Sequence, residues 1–169
     1  RHDMGMGRDR LGVANLNFNV QRWDEARLRR VVDRVLEETR REPGVEEVAV
    51  SSGMPFGMPS RFSISAGIPG RPIGSTGSSM TAVAASPAFF RTIEVPLLYG
   101  RPFDDRDHAG AAPVVVLAEG TAARLFGTAN AVGRQLVIQT RTGSGASKPI
   151  ATATVIGVGR DTDTGFLIG

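Results

Sequence analysis

The chain has 169 residues, the length of one domain or of two small subdomains sharing a core. Its 20 basic and 17 acidic residues nearly balance, and no basic stripe is interleaved with stacking aromatics, so nucleic acid is not expected as a partner. Cysteine is absent, which excludes disulfides, thiolate zinc sites and cysteine nucleophiles.

Residues 1–12 are charged and glycine-rich, without the apolar centre of a signal peptide, and read as a flexible lead-in. No apolar run approaches the ~18–20 residues that a membrane-spanning helix needs. Residues 13–20 (VANLNFNV) alternate with a period of two. That predicts a half-buried strand with Leu16 and Phe18 facing a core.

Residues 23–42 carry the clearest helical signal. Leu28, Val31, Val32, Val35, Leu36 and Thr39 share one face, and charged residues take the other. Asp24 is the expected N-cap, and Pro43-Gly44 the stop. Glu37 and Arg41 are spaced to pair. The arginines at 27, 29, 30, 34, 40 and 41 are interleaved with acids and read as a solvated face.

Residues 45–52 are expected as a strand with Val48 and Val50 on one face. Residues 53–60 (GMPFGMPS) form a proline-rich turn, and residues 61–66 a strand with Phe62 and Ile64 inward. The loop at 67–78 (GIPGRPIGSTGS) is a hairpin connection, and residues 80–85 its returning strand. Ser86-Pro87 stops that strand, with Ser86 as N-cap of a short helix carrying Phe89, Phe90 and Ile93. A second extended run, 95–99, ends at Gly100.

Residues 113–118 are continuously apolar, as in a strand buried on both faces. A short helix at 121–126, a turn at 128–134 and strands at 135–140 and 150–158 follow, the strands joined by the polar tip RTGSGASK. Phe166-Leu167-Ile168 has no destination legible in the sequence.

Catalytic and metal-binding patterns fail on inspection. Two histidines are too few for a histidine zinc site or a triad. Asp104, Asp105, Asp107 and His108 suggest a calcium loop, but Ala109 and Val116 stand where oxygen ligands are needed. Asp163-Thr164-Gly165 spells the Asp-Thr-Gly of aspartic proteases without the apolar strand that should lead directly into it. No glycine-rich phosphate loop and no Gly-x-Ser-x-Gly elbow is present. No cofactor and no metal are expected.

Several short motifs occur in a fixed order. Glu42-Pro43-Gly44-Val45 and Met54-Pro55-Phe56 come first. Ser86-Pro87 with Phe89-Phe90 follows, then Gly100-Arg101-Pro102-Phe103 with its aspartates. APVVVL at 112–117, TAARLF at 121–126, VGRQL at 132–136 and ATVIGVG at 153–159 complete the series. In this order they resemble the periplasmic core domain of MacB-type ABC transporter permeases, the MacB/FtsX/LolC group, over roughly residues 13 to 161.

The resemblance implies an α+β fold: a porter-like α/β subdomain with an inserted mixed β/α, sabre-like subdomain. Residues 1–12 would be the lead-in, 13–85 the first half of the porter-like part, and 86–169 the sabre-like part. It implies a non-catalytic extracytoplasmic domain of an inner-membrane permease, set between the first two membrane helices. That domain would couple ATP-driven motion to efflux or other periplasmic work, the mechanotransmission attributed to the family. The implied partners are a cognate cytoplasmic ATP-binding subunit or domain, a second permease copy in a homodimer and, where one exists, a periplasmic adaptor.

The family's porter part is completed by strands and a helix after the insert. Without them a sheet edge and apolar surface would be exposed, so self-association, or disorder of residues 54–79, is expected. Met54, Phe56 and Met58, with Ile68, Arg71 and Ile73 of the following loop, are the candidate partner-contact residues. The competing reading is a stand-alone soluble α+β ligand-binding or enzyme module.

Overall fold

The computed structural model describes residues 10–16, 24–53, 62–71, 79–108, 110–141, 147–160 and 166–168. Among the described residues three helices, α1 (Glu25–Arg40), α2 (Phe89–Ile93) and α3 (Glu119–Phe126), accompany seven strands. The strands are β1 (Phe62–Gly67), β2 (Ser79–Ala84), β3 (Leu97–Gly100), β4 (Val114–Ala118), β5 (Gln135–Arg141), β6 (Ser147–Gly159) and β7 (Phe166–Ile168). The class is α+β, as expected.

All seven strands belong to one sheet in the order β3-β6-β4-β7-β2-β1-β5, and β5 pairs in addition with β6. That last pairing closes β6, β4, β7, β2, β1 and β5 into a ring, with β3 attached outside it. Closure removes the free edges that an open sheet of these strands would carry. The long β6 makes it possible. Its first half pairs antiparallel with β5, from Arg141 opposite Ser147 to Gln135 opposite Thr154. Its second half runs parallel to β4 on one edge and antiparallel to β3 on the other.

Alternation along the strands builds two cores from one wall. Val115 and Leu117 of β4 face the inside of the ring with Ile64, Ala66, Ala82, Leu136, Ile138, Ala153, Val155 and Val158. Ala122 and Leu125 of α3 belong to the same core. The neighbouring Val116 faces outward, where Phe89, Phe90 and Ile93 of α2 pack with Val95 and Phe103. Phe90 stands edge-on to Phe89 at 5.7 Å and tilted against Phe103 at 5.5 Å. The centre of the apolar run, residues 115–117, is therefore buried on both faces because each face meets a different core, while Pro113 is exposed and Val114 and Ala118 are half-buried.

Helix α1 forms where its sequence places it. Asp24 Oδ1 accepts from Arg27 N at 2.7 Å, and Glu37 pairs with Arg41 at 2.8 Å. Its apolar residues Leu28, Val31, Val32, Val35 and Leu36 are half-buried rather than buried among the described residues.

Three expectations are corrected. Residues 11–16 are not in a strand, and Val13 and Leu16 are 52% and 45% exposed. Leu11 makes the core contact instead, against the α2 cluster; residues 17–20, including Phe18, lie outside the described residues. Residues 45–52 do not form a strand either; only Ser51 bridges to Ala85. Two backbone bonds flank that bridge, Ser52 N to Ala84 O and Ser86 N to Val50 O, while hydroxyls take the other two amides: Ser86 Oγ accepts from Val50 N and Ser52 Oγ accepts from Ala84 N. Because Ser86 is used in this way, it does not cap α2. The N-cap position falls to Ala88, which makes no side-chain bond.

The C-terminal segment has a destination after all. β7 runs parallel to β2 and antiparallel to β4, and so bridges them. The ring thereby crosses residue 86: β1 and β2 lie before it, and β4 to β7 after it.

Candidate functional site

Among the described residues the densest polar constellation is the turn after β3. Arg101 N donates to Ile156 O at 2.9 Å, which ties the turn to β6. The Arg101 guanidinium then clamps Asp107 through both nitrogens, Nη1 to Oδ2 at 2.6 Å and Nη2 to Oδ1 at 2.9 Å. Asp107 Oδ2 also accepts from Asp104 N at 2.9 Å. Arg106 holds Asp104 in the same manner, Nε to Oδ1 at 2.9 Å and Nη2 to Oδ2 at 2.6 Å. Paired two-point contacts of this kind are the strong, geometrically specific form of ion pair.

The Asp107 side chain is only 4% exposed, while that of Arg101 is about a third exposed. The hydrogen bonds from Arg101 hold the Asp107 carboxyl below the usual carboxylate range, against the opposing effect of burial. Those from Arg106 do the same for Asp104, and both arginines are raised in turn by their carboxylates. Each carboxylate is engaged by an arginine, so neither is placed to act as an acid, a base or a metal ligand.

Among the described residues no group of three or more His, Asp or Glu side chains is arranged to hold a metal ion. The calcium-loop pattern at 104–108 is thus an arginine-locked turn. Asp161 and Asp163, with the Asp-Thr-Gly tripeptide, lie outside the described residues. No described helix is long and apolar enough to cross a membrane.

Of the candidate contact residues, Met54, Phe56, Met58 and Ile73 also lie outside the described residues. Ile68 and Arg71 are described and belong to one tight turn at the end of β1. Arg71 N donates to Ile68 O at 3.1 Å, and Gly70 within the turn has a φ of 78°. Ile68 is half-buried and Arg71 exposed. The structure brings these two together as the described base of the 67–78 loop. It also presents two exposed apolar residues that sequence reasoning passed over, Leu98 and Tyr99 on β3. Their position within an apolar run concealed them. Strand β3 lies at the outer end of the sheet order, so among the described residues only one of its edges is paired.

Comparison with known proteins supplies what this geometry alone does not. The family of MacB-like periplasmic core domains matches residues 7–168. Among solved structures, the periplasmic region of MacB from Actinobacillus actinomycetemcomitans is similar, with a TM-score of 0.53 and 16% identity. That alignment covers 78% of this chain and 51% of the other. The extracellular domain of the noncanonic ABC-type transporter YknZ from Gram-positive bacteria aligns with a TM-score of 0.51 and 19% identity, over 80% of this chain and 60% of that one. The chain thus spans about half to three-fifths of the length of these structures. At such identities the likeness is one of fold. Comparison with curated proteins gives no match.

Proposed function

This chain belongs to the family of MacB-like periplasmic core domains of ABC transporter permeases, and on that premise we propose that it works outside the cytoplasm as the coupling domain of such a permease. In this reading it is non-catalytic. It passes motion, driven by a cognate cytoplasmic ATP-binding subunit or domain, to efflux or other work on the far side of an inner (plasma) membrane. Two permease copies act as a homodimer, and a periplasmic adaptor joins them where one exists. The observation that carries the proposal is the family match over residues 7–168, because it spans nearly every element of the fold. The arginine-locked turn supports it. Its two carboxylates are taken up by arginines and so are not free for acid-base work. The stand-alone ligand-binding or enzyme reading has no comparable support.

Partner contact is proposed for the 54–58 segment and the 67–78 loop through Met54, Phe56, Met58, Ile68, Arg71 and Ile73. The porter-like and sabre-like division is likewise a proposal.

The proposal is tested in the full-length protein, reconstituted in liposomes with its ATP-binding partner. Replacing residues 68–71 by Gly-Ser repeats should leave the partner bound and basal ATP hydrolysis within about twofold, but abolish transport or the equivalent periplasmic work. Unimpaired work with the loop replaced would contradict the contact assignment. Work that survives deletion of the whole domain would contradict the coupling role.

A further inference from the structure

The six strands of the ring are not held equally. β7 is three residues long. Among the described residues it meets β2 where Val83 faces Leu167 and Ala84 faces Ile168. On its other edge it meets β4 at Val115, Val116 and Leu117. The opposite side of the ring is much better tied. β5 follows β6 from Gln135 to Arg141 and also follows β1 from Ile64 to Gly67.

The topology adds a second asymmetry. β7 is the only strand among the described residues that joins β2 to β4. If it leaves, β2, β1, β5, β6 and β4 still form one continuous hydrogen-bonded sheet, with β3 on its outer edge. Among the described residues no other ladder has to break.

We propose that β7 is a detachable strap. The ring opens along the β2–β7–β4 seam in a local transition, below the free energy of global unfolding, and the β5–β6 and β1–β5 ladders serve as the hinge. Release frees the backbone edge of β2 at Val83 and Ala84 and that of β4 from Val115 to Leu117, and the hydrogen bonds lost there favour the closed form. Once open, β2 and β4 present two facing edges separated by the width of one strand. This inference rests on strand lengths and connectivity and stands apart from the membrane assignment.

Native-state hydrogen exchange on the chain, followed residue by residue at increasing sub-denaturing urea, tests it. Amides of residues 166–168 should exchange about tenfold or more faster than those of 136–138 and 152–154. The amides of 83–84 and 115–117 that bond across to β7 should open in the same step. Exchange of all these amides together, at the global unfolding rate, would overturn the proposal. Leu167→Pro gives a second readout, since proline removes the strand's central N–H whatever its side chain touches. The β5–β6 amides should keep their protection within about twofold. Loss of that protection in Leu167→Pro would show β7 to be integral to the ring and would also overturn the proposal.

Discussion

Gly100 and Gly157 are cross-strand partners in the β3–β6 ladder, and neither has room for a side chain. A Cβ on Gly100 would overlap the carbonyl oxygen of Ile156, and one on Gly157 would lie 2.5 Å from Arg101 O. Both obstacles are backbone atoms, so no rotamer change can relieve them. Gly100 also has a φ of 76°, in the left-handed region. The close approach brings Arg101 N within bonding distance of Ile156 O and so sets the start of the arginine-locked turn.

Gly157→Ala is therefore expected to destabilise the domain by about 1–3 kcal/mol, the usual cost of overpacking. Gly100→Ala should cost more, since strain adds to the clash. Urea titrations should show lower midpoints with unchanged slopes. An alanine at 157 that is tolerated within about 0.5 kcal/mol would mean that the two strands can move apart.

Asp107→Asn should cost about 1–3 kcal/mol. The aspartate is buried, but its partner is partly exposed, so the figure sits below that for a fully buried pair. The pH dependence follows from the sign of the shift. The Asp107 carboxyl is lowered in the folded state. Its contribution is complete above the unfolded value of about 3.9 and is lost as pH falls through the folded value. The stability gap between wild type and Asp107→Asn should stay flat from about pH 7 to pH 5 and narrow below about pH 4. Chemical denaturation at each pH checks this; a gap that widens on acidification would contradict it.

Glu94 ends α2 with a φ of 52°, the only described non-glycine residue with positive φ. Its side chain is exposed, so its replacement loses little packing. Glu94→Gly should raise stability by about 0.5–1 kcal/mol by relieving the left-handed strain. A lowered melting temperature in this variant would mean that the Glu94 side chain makes a stabilising contact.

Leu136→Ala removes a side chain that is fully buried inside the ring. The closed wall limits relaxation around the cavity, so a loss of about 3–5 kcal/mol is expected from equilibrium unfolding. A loss below about 2 kcal/mol would mean that the ring collapses to fill the space.

The helical and strand periods carried most of the fold. α1 with its Asp24 cap, the β1–β2 hairpin, the doubly buried β4 and the β5–β6 hairpin were all legible, because each is fixed by local pattern. What escaped depends on distant partners. Ser86 looked like a cap because its local sequence permits it, but its hydroxyl accepts from Val50 N, 36 residues earlier. Residues 45–52 had strand character, but only Ser51 found a bridge partner, Ala85, which lies 34 residues on. β7 was invisible because three apolar residues specify nothing until β2 and β4 stand on either side of them. In the site, the Arg-Pro-Phe-Asp-Asp-Arg-Asp run announced a turn. It did not announce that Arg101 would select Asp107, six residues on, as its two-point partner. The ordered motifs carried the family, because their order constrains far more than any one of them does.

The central claim is that this domain lies outside the cytoplasm, and one labelling measurement tests it most directly. The 169 residues contain no cysteine, and Arg71 is exposed beside the proposed contact loop. A full-length protein carrying Arg71→Cys, with any cysteines elsewhere replaced, is treated in intact spheroplasts with a membrane-impermeant maleimide. The account predicts labelling at residue 71 without permeabilisation, equal in extent to that after detergent. Labelling that appears only after the membrane is breached would place the domain in the cytoplasm and contradict the account.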